Sequence, residues 1–200
     1  MPDPTFPLLP MADQPPVERA DAARNREALL CAARLLVAEQ GVASVTMEAV
    51  AAEAGVGKGT VFRRFESREG LMAAVLDFSE TSWQAAVISG PPPLGPGADP
   101  WDRLVAFGRS RLESTLVHAD LIRAAGASGS RAAGAYSFAV LHVQHLLAAL
   151  GVTGDLPILA TALLAPLEIP ILDQQRAGGF EVDRLLSGWE DLARRVTGHP

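Results

Sequence analysis

Gly55-Val56-Gly57-Lys58-Gly59-Thr60-Val61-Phe62-Arg63-Arg64-Phe65 is the stretch on which the fold turns. Lys58 is the only lysine among 17 Lys and Arg residues. A short apolar segment, Met47 to Ala54, precedes it. Thr46 is a good N-cap there, because its hydroxyl can accept an orphan backbone N–H. Gly55 stops that helix, and a second helix starts at Gly57 or Lys58 and runs to about Phe65. Helix, glycine turn and a donor-bearing helix is the layout of a helix-turn-helix, whose second helix enters the major groove N-terminal end first. Lys58 can donate to a guanine edge or a phosphate. Gly59 permits close backbone approach, and Thr60 can bond a phosphate or touch a thymine methyl. Arg63 and Arg64 follow one turn on. Val61 and Phe65, four apart, share a face and should pack inward, with Phe62 between the two faces.

Outward from this segment the periodicity stays helical. Residues 1–16 are proline-rich and aperiodic, which predicts a flexible tail. Val17 to Gln40 predicts a helix with an apolar stripe of Ala28, Leu29, Ala32, Leu35, Leu36 and Ala38, ended by Gly41. Ser67 should cap a long fourth helix reaching about Ile88. The glycine- and proline-rich run 89–100 must be a loop. Helices are expected near 101–118, 121–125 and 131–150, with a break at 126–130. Asp155 should cap the next, which must kink or break at Pro166 and Pro170. A last helix spans about 182–196. The reading is all-α and about nine helices: a three-helix head at 17–66 and a bundle at 67–200.

Composition sets the class. With 48% hydrophobic and 20% charged residues the chain is globular. Its net charge is −6, but basic groups gather locally at Lys58, Arg63, Arg64 and Arg68, and again at Arg19, Arg24, Arg26 and Arg34, as DNA binding by an acidic body would require. The single cysteine, Cys31, excludes an internal disulfide and Cys-based zinc sites, and its Ala/Leu-rich setting predicts a buried, inert thiol. No apolar run approaches a membrane span and the first residues lack a signal-peptide pattern, so a cytoplasmic protein without membrane partners is expected.

The run Thr46 to Leu71, with flanking positions from about residue 20 to 75, resembles the N-terminal domain of the tetracycline-repressor (TetR/AcrR) family of transcriptional regulators. The family pattern there is an apolar helix, Ala-Gly-Val, a small residue, Lys-Gly-Thr, an aliphatic residue, Tyr, two variable residues, Phe, then Ser-Lys-Glu and Leu. The resemblance implies DNA contacts from Thr46, Lys58, Gly59, Thr60, Phe62, Arg63, Arg64 and Arg68. It implies a homodimer on a palindromic operator, usually a repressor, with a C-terminal region that dimerises and binds a small effector. Three departures matter. Phe62 replaces a Tyr that donates to phosphate and should be a packing residue. Arg64 stands where His is frequent and can be bidentate to guanine. Arg68 replaces Lys and should still reach a phosphate.

Beyond residue 80 the resemblance is architectural only. Trp83, Trp101, Phe107, His118, Tyr136, Phe138, His142 and His145 are the distinctive middle residues. Of these, Trp83, Phe107, His118, Tyr136, Phe138 and His142 are candidates to line a pocket for a mostly apolar effector. Leu163, Leu164, Leu167 and Ile171, with Leu185, Trp189, Leu192 and Val196, form two apolar faces suited to a four-helix dimer interface. His142 and His145 share a helix face, but no Glu, Asp or Cys stands at ligand spacing, so neither metal nor cofactor is expected. An enzyme lacks support: there is no nucleophile–base pair, and Gly57-Lys58-Gly59-Thr60 lacks the strand and first glycine of a phosphate loop. The competing function is a dimeric helical small-molecule binder that has lost DNA binding.

Overall fold

A computed structural model describes residues 17–125 and 130–199, and the side chains of residues 23–125 and 136–199. The expected tail at 1–16 and residues 126–129 of the break expected at 126–130 lie outside the described residues, while Ser130 is helical. Every regular element described is helical: α1 (Val17–Gln40), α2 (Met47–Glu53), α3 (Lys58–Phe65), α4 (Arg68–Ser89), α5 (Pro100–Val117), α6 (Ala119–Ala125), α7 (Ser130–Ala149), α8 (Leu156–Leu164), α9 (Ile169–Ala177) and α10 (Val182–Thr197). Ten α-helices replace the expected nine because the segment bearing Pro166 and Pro170 splits. A 3₁₀ turn at Ala165–Leu167 separates α8 from α9, since neither proline carries an N–H to continue the ladder. The caps follow the sequence. Thr46, Ser67 and Asp155 side chains accept from the N–H groups of Ala49, Gly70 and Ile158 at 3.1, 3.1 and 3.2 Å.

Two hydrophobic cores form. The first gathers Leu29, Leu30, Ala33 and Leu36 of α1, Met47, Val50 and Ala51 of α2, and Val61 and Phe65 of α3. It does not stop at the expected boundary after residue 66, since Leu71, Met72, Ala74 and Val75 of α4 and Leu121 and Ala125 of α6 complete it. The second core contains Trp83 and Val87 from the other half of α4, with Trp101, Leu104 and Phe107 of α5, Val143, Leu146 and Leu147 of α7, and Leu163, Leu164, Leu172 and Trp189 beyond.

Two sequence expectations for α1 are corrected. The buried face is Leu29, Leu30, Ala32, Ala33 and Leu36, so the stripe is rotated and Leu35 is 55% exposed. Cys31 lies on the solvent side and is exposed rather than buried.

The second core closes through Trp189. Its indole N–H donates to the carbonyl of Leu163 at 2.7 Å, at the end of α8, where the proline-bearing turn interrupts the helix. Its ring lies against Gly108 of α5, and a Cβ at 108 would sit inside the ring's van der Waals envelope. Gly108→Ala should therefore force α5 and α10 apart and lower stability by about 1–3 kcal/mol, as overpacking does. Urea unfolding measures the loss, and an unchanged midpoint would refute the packing account.

Candidate functional site

α2 and α3 form the candidate reading head. Gly55 turns the chain at φ 66°, a left-handed conformation that favours glycine. The N–H of Val56 closes the turn on the carbonyl of Ala51 at 2.9 Å. Val61 and Phe65 are buried and anchor α3. This leaves Lys58, Gly59, Phe62, Arg63 and Arg64 exposed and Thr60 half-buried along α3. Nothing lies within 4 Å of where a Cβ on Gly59 would stand. The fold does not require glycine there.

The exposed side chains are already organised. Lys58 forms an ion pair with Glu48 of α2 and lies 5.3 Å from the centroid of the Phe62 ring. The hydrogen bond from Lys58 holds the Glu48 carboxyl below its ordinary range. Phe62 is 39% exposed. It is not the core-packing residue expected but a platform under the lysine. Arg63 Nε donates to the Gly59 carbonyl at 3.3 Å. Between α1 and α3 a shallow groove of about 220 Å³ is lined by Asn25, Arg26, Leu29, Thr60, Arg63 and Arg64. Asn25 and Glu48 were not singled out from the sequence, since neither lies on the recognition helix.

Arg68 has a different job from the one expected. Its Nε donates to the carbonyl of Val45 at 2.9 Å and its Nη2 to that of Val42. The guanidinium turns inward and ties the start of α4 to the 3₁₀ turn between α1 and α2 rather than reaching outward for a phosphate.

Residues 29–75 match the family model of bacterial regulatory proteins, tetR family. Residues 29–75 are thus an N-terminal domain of the tetR family of bacterial regulatory proteins. Solved structures extend the likeness of fold to most of the chain. A putative TetR-family transcriptional regulator from Rhodococcus sp. is 21% identical, with a TM-score of 0.61 over 87% of this chain and 99% of its own. BioQ, solved with its natural double-stranded DNA operator, is 19% identical with a TM-score of 0.61, over 87% and 98%. The multidrug binding protein EbrR, solved with imidazole, is 26% identical with a TM-score of 0.56, over 94% and 97%. A search of curated proteins finds no match.

In this TetR-type chain the candidate effector residues divide. Trp83 lies 5.2 Å from Phe107 and 6.0 Å from Phe138, centroid to centroid. His142 lies 5.1 Å from Phe107 and 6.0 Å from Phe138. These four form one cluster between α4, α5 and α7. Tyr136 packs on the same core. His118 does not join them: its Nδ1 is 2.8 Å from the Ser114 carbonyl at the end of α5. Trp101 stacks instead on His199, near the C-terminus, at 4.4 Å. Beside the cluster the sequence reading missed a buried ion pair. Arg111 Nη1 donates to both carboxylate oxygens of Glu80, at 2.8 and 2.9 Å, and the guanidinium covers the Trp83 ring. Burial pushes the nearby Glu168 carboxyl above its ordinary value, Arg111 opposing and Glu80 adding to the shift. A cavity of about 270 Å³ opens elsewhere, between α5, the α8–α9 break and α10, lined by Leu112, Pro166, Phe180, Leu185 and Trp189 among others.

The expected dimer faces also divide. Leu163, Leu164, Leu167 and Trp189 are buried within their own subunit and cannot form a contact face. The breaks at the two prolines fold that apolar run back onto α5 and α7. Ile171 is exposed, while Leu185, Leu192 and Val196 are half-buried at the edge of the second core.

Two outcomes follow from this geometry. Arg68→Ala should destabilise the head by about 1.5–3 kcal/mol, because two carbonyls lose a charged donor, and Arg68→Lys should not recover it. Urea unfolding without DNA decides; unchanged stability would restore the phosphate role. Burial first, then the charges of Arg103 and His145, lowers the His142 pKa from 6.5 to about 4. The folded state thus binds fewer protons than the unfolded chain, and the stability gained is whole above pH 6.5 and lost as the pH falls toward 4. His142→Phe should flatten that part of the stability–pH curve in unfolding measured at pH 7, 5.5 and 4.5.

Proposed function

We propose that the protein is a homodimeric, effector-released repressor that reads a palindromic operator with α3. The observation that carries the reading is the two-faced α3: Val61 and Phe65 anchor it, while Lys58, Gly59, Thr60, Arg63 and Arg64 face outward around a glycine the fold does not need. Residues 17–66 do the reading, and residues 67–200 bind the effector and dimerise. Two-fold symmetry in the protein would be mirrored in the DNA half-sites. In this reading the dimer face lies on α8 to α10, supported by the exposure of Ile158, Ile171 and Phe180 beside the half-buried Leu185, Leu192 and Val196.

The effector acts through α4. A ligand that favours one arrangement of the cluster at Trp83 shifts the far half of this helix, and with it the separation of the two recognition helices. Both half-sites then cannot be met at once.

Selection from a random double-stranded DNA library at near-physiological salt tests the function: a palindrome should be enriched, and a folded dimer that enriches nothing refutes it. On the selected operator, Lys58→Ala should reduce the slope of log affinity against log salt by about one unit if Lys58 meets phosphate. Arg64→Ala should relax one base position, at a cost of about 1–3 kcal/mol. Gly59→Ala should leave folding intact or improve it by up to about 1 kcal/mol, yet weaken operator binding through lost backbone approach; equal DNA affinity would exclude that approach. Ile171→Asp combined with Ile158→Asp should shift the protein to monomer in sedimentation, and an unchanged dimer would move the interface elsewhere.

A further inference from the structure

Four buried side-chain polar atoms have no hydrogen-bond partner among the described residues: Arg103 Nε, Arg111 Nε, Thr115 Oγ1 and His142 Nε2. They are not scattered. Arg103, Phe107, Arg111 and Thr115 are spaced by four along α5 and so follow one another down one side of it. His142 reaches the same stripe from α7, 5.1 Å from Phe107. Trp83 of α4 closes it, with its ring against Phe107 and under the Arg111 guanidinium. Arg111 and Thr115 are 7% and 4% exposed, so water does not freely replace the missing partners. Each orphaned group of this kind costs about 1–3 kcal/mol, and four of them along one side of α5 and on the facing α7 call for a physical explanation.

The chemistry of the orphans is selective. Two are guanidinium N–H groups, donors only, and charged donors bind anionic acceptors most strongly. The Thr115 hydroxyl can also donate. His142 is kept neutral by its burial, so it adds a polar tip without a competing charge. The walls between these atoms are the faces and edges of Trp83, Phe107 and Phe138, which accept a flat apolar body. A hydrocarbon would leave the donors unpaired. Glu80 already offsets the Arg111 charge at 2.8 Å, so the positive charge that an anion would meet on the stripe is chiefly that of Arg103.

We propose that this α5 stripe, with Trp83 and His142, is the recognition surface for a flat apolar acid: an aromatic or similar ring system bearing a carboxylate, which pairs with Arg103 or Arg111 while its rings part Trp83 from Phe138. The inference rests on the ligand-responsive reading above and narrows it to anions. Entry of the ring body separates α4 from α7 at Trp83, on the half of α4 remote from the reading head.

Calorimetric titration of the full chain with three probes of one shape tests it: 2-naphthoate, 2-naphthamide and 2-naphthylmethylammonium. The acid should bind at least about tenfold more tightly than the amide, and the ammonium most weakly. Arg103→Gln should reduce the preference for acid over amide, and Arg103→Lys should restore part of it. Since Arg111 also holds Glu80, its end of the stripe is read by Thr115→Val as well as Arg111→Gln, each checked for folding by circular dichroism. Equal affinity for the three probes, no binding of 2-naphthoate at millimolar concentration, or an acid preference intact in every variant overturns the proposal. Operator binding is followed in parallel. If the amide or ammonium alone binds and releases DNA, ligand response stands and the anion site fails. If 2-naphthoate binds with the stated preference and DNA is retained, the anion site stands and the effector-release reading fails.

Discussion

One continuous helix belongs to both hydrophobic cores. α4 runs from Arg68 to Ser89, about 33 Å at 1.5 Å per residue. Its first turns bury Leu71, Met72 and Val75 with α1, α2 and α3; its last turns bury Trp83 and Val87 with α5 and α7. It has no proline, and its only glycine, Gly70, lies in the first turn; between the cores the hydroxyls of Ser79, Thr81 and Ser82 bond back to the carbonyls of Val75, Asp77 and Phe78, a local bias toward bending. α6 strengthens this arrangement, because Leu121 and Ala125 enter the head's core from a segment that follows α5 in the chain. In the proposed mechanism, a displacement of α4 at Trp83 is passed to the head along this helix and through α6.

The head is small and keeps its shape by local devices. Thr46 and Ser67 cap α2 and α4, Gly55 turns the chain from α2 into α3, and Arg68 ties α4 to the carbonyls of Val42 and Val45. α3 needs only Val61 and Phe65 to hold it, which frees its remaining positions for contact. Lys58 is restrained by Glu48 and by the Phe62 ring. Such an exposed pair adds little stability, but it orients the amine and lowers the local positive potential. In an acidic chain of net charge −6, the proposed DNA reading then rests its attraction to phosphate mostly on the arginines of α1 and α3.

The body is decided by its prolines. Pro166 and Pro170 break what hydropathy alone reads as one helix, and the break turns Leu163, Leu164 and Leu167 inward, where the Trp189 indole satisfies a carbonyl at the end of α8. A buried charge pair, Glu80 with Arg111, joins α4 to α5 in the same region. Burying such a pair is costly unless the geometry is good, and removing either partner alone would strand a charge. It is better suited to fixing how α4 sits on α5 than to adding net stability.

The features legible in the sequence were those set by short spacings. Caps at Thr46, Ser67 and Asp155, the stop at Gly55, the inward pair Val61 and Phe65, and the break at Pro166 and Pro170 each depend on backbone chemistry within about five residues, and so they could be placed from residue order. The all-helical class followed from the same periodicities. What only the tertiary structure decided were contacts between positions far apart in the chain. Arg68 reads as a phosphate donor until its guanidinium is seen on carbonyls 23 and 26 residues away. Arg111 finds Glu80 at a separation of 31. The apolar runs in α8 and α10 could face a partner or their own core, since hydropathy fixes that a face is buried but not against what. Local torsions and hydrogen bonds determine helices; which faces meet is settled by packing among all of them at once.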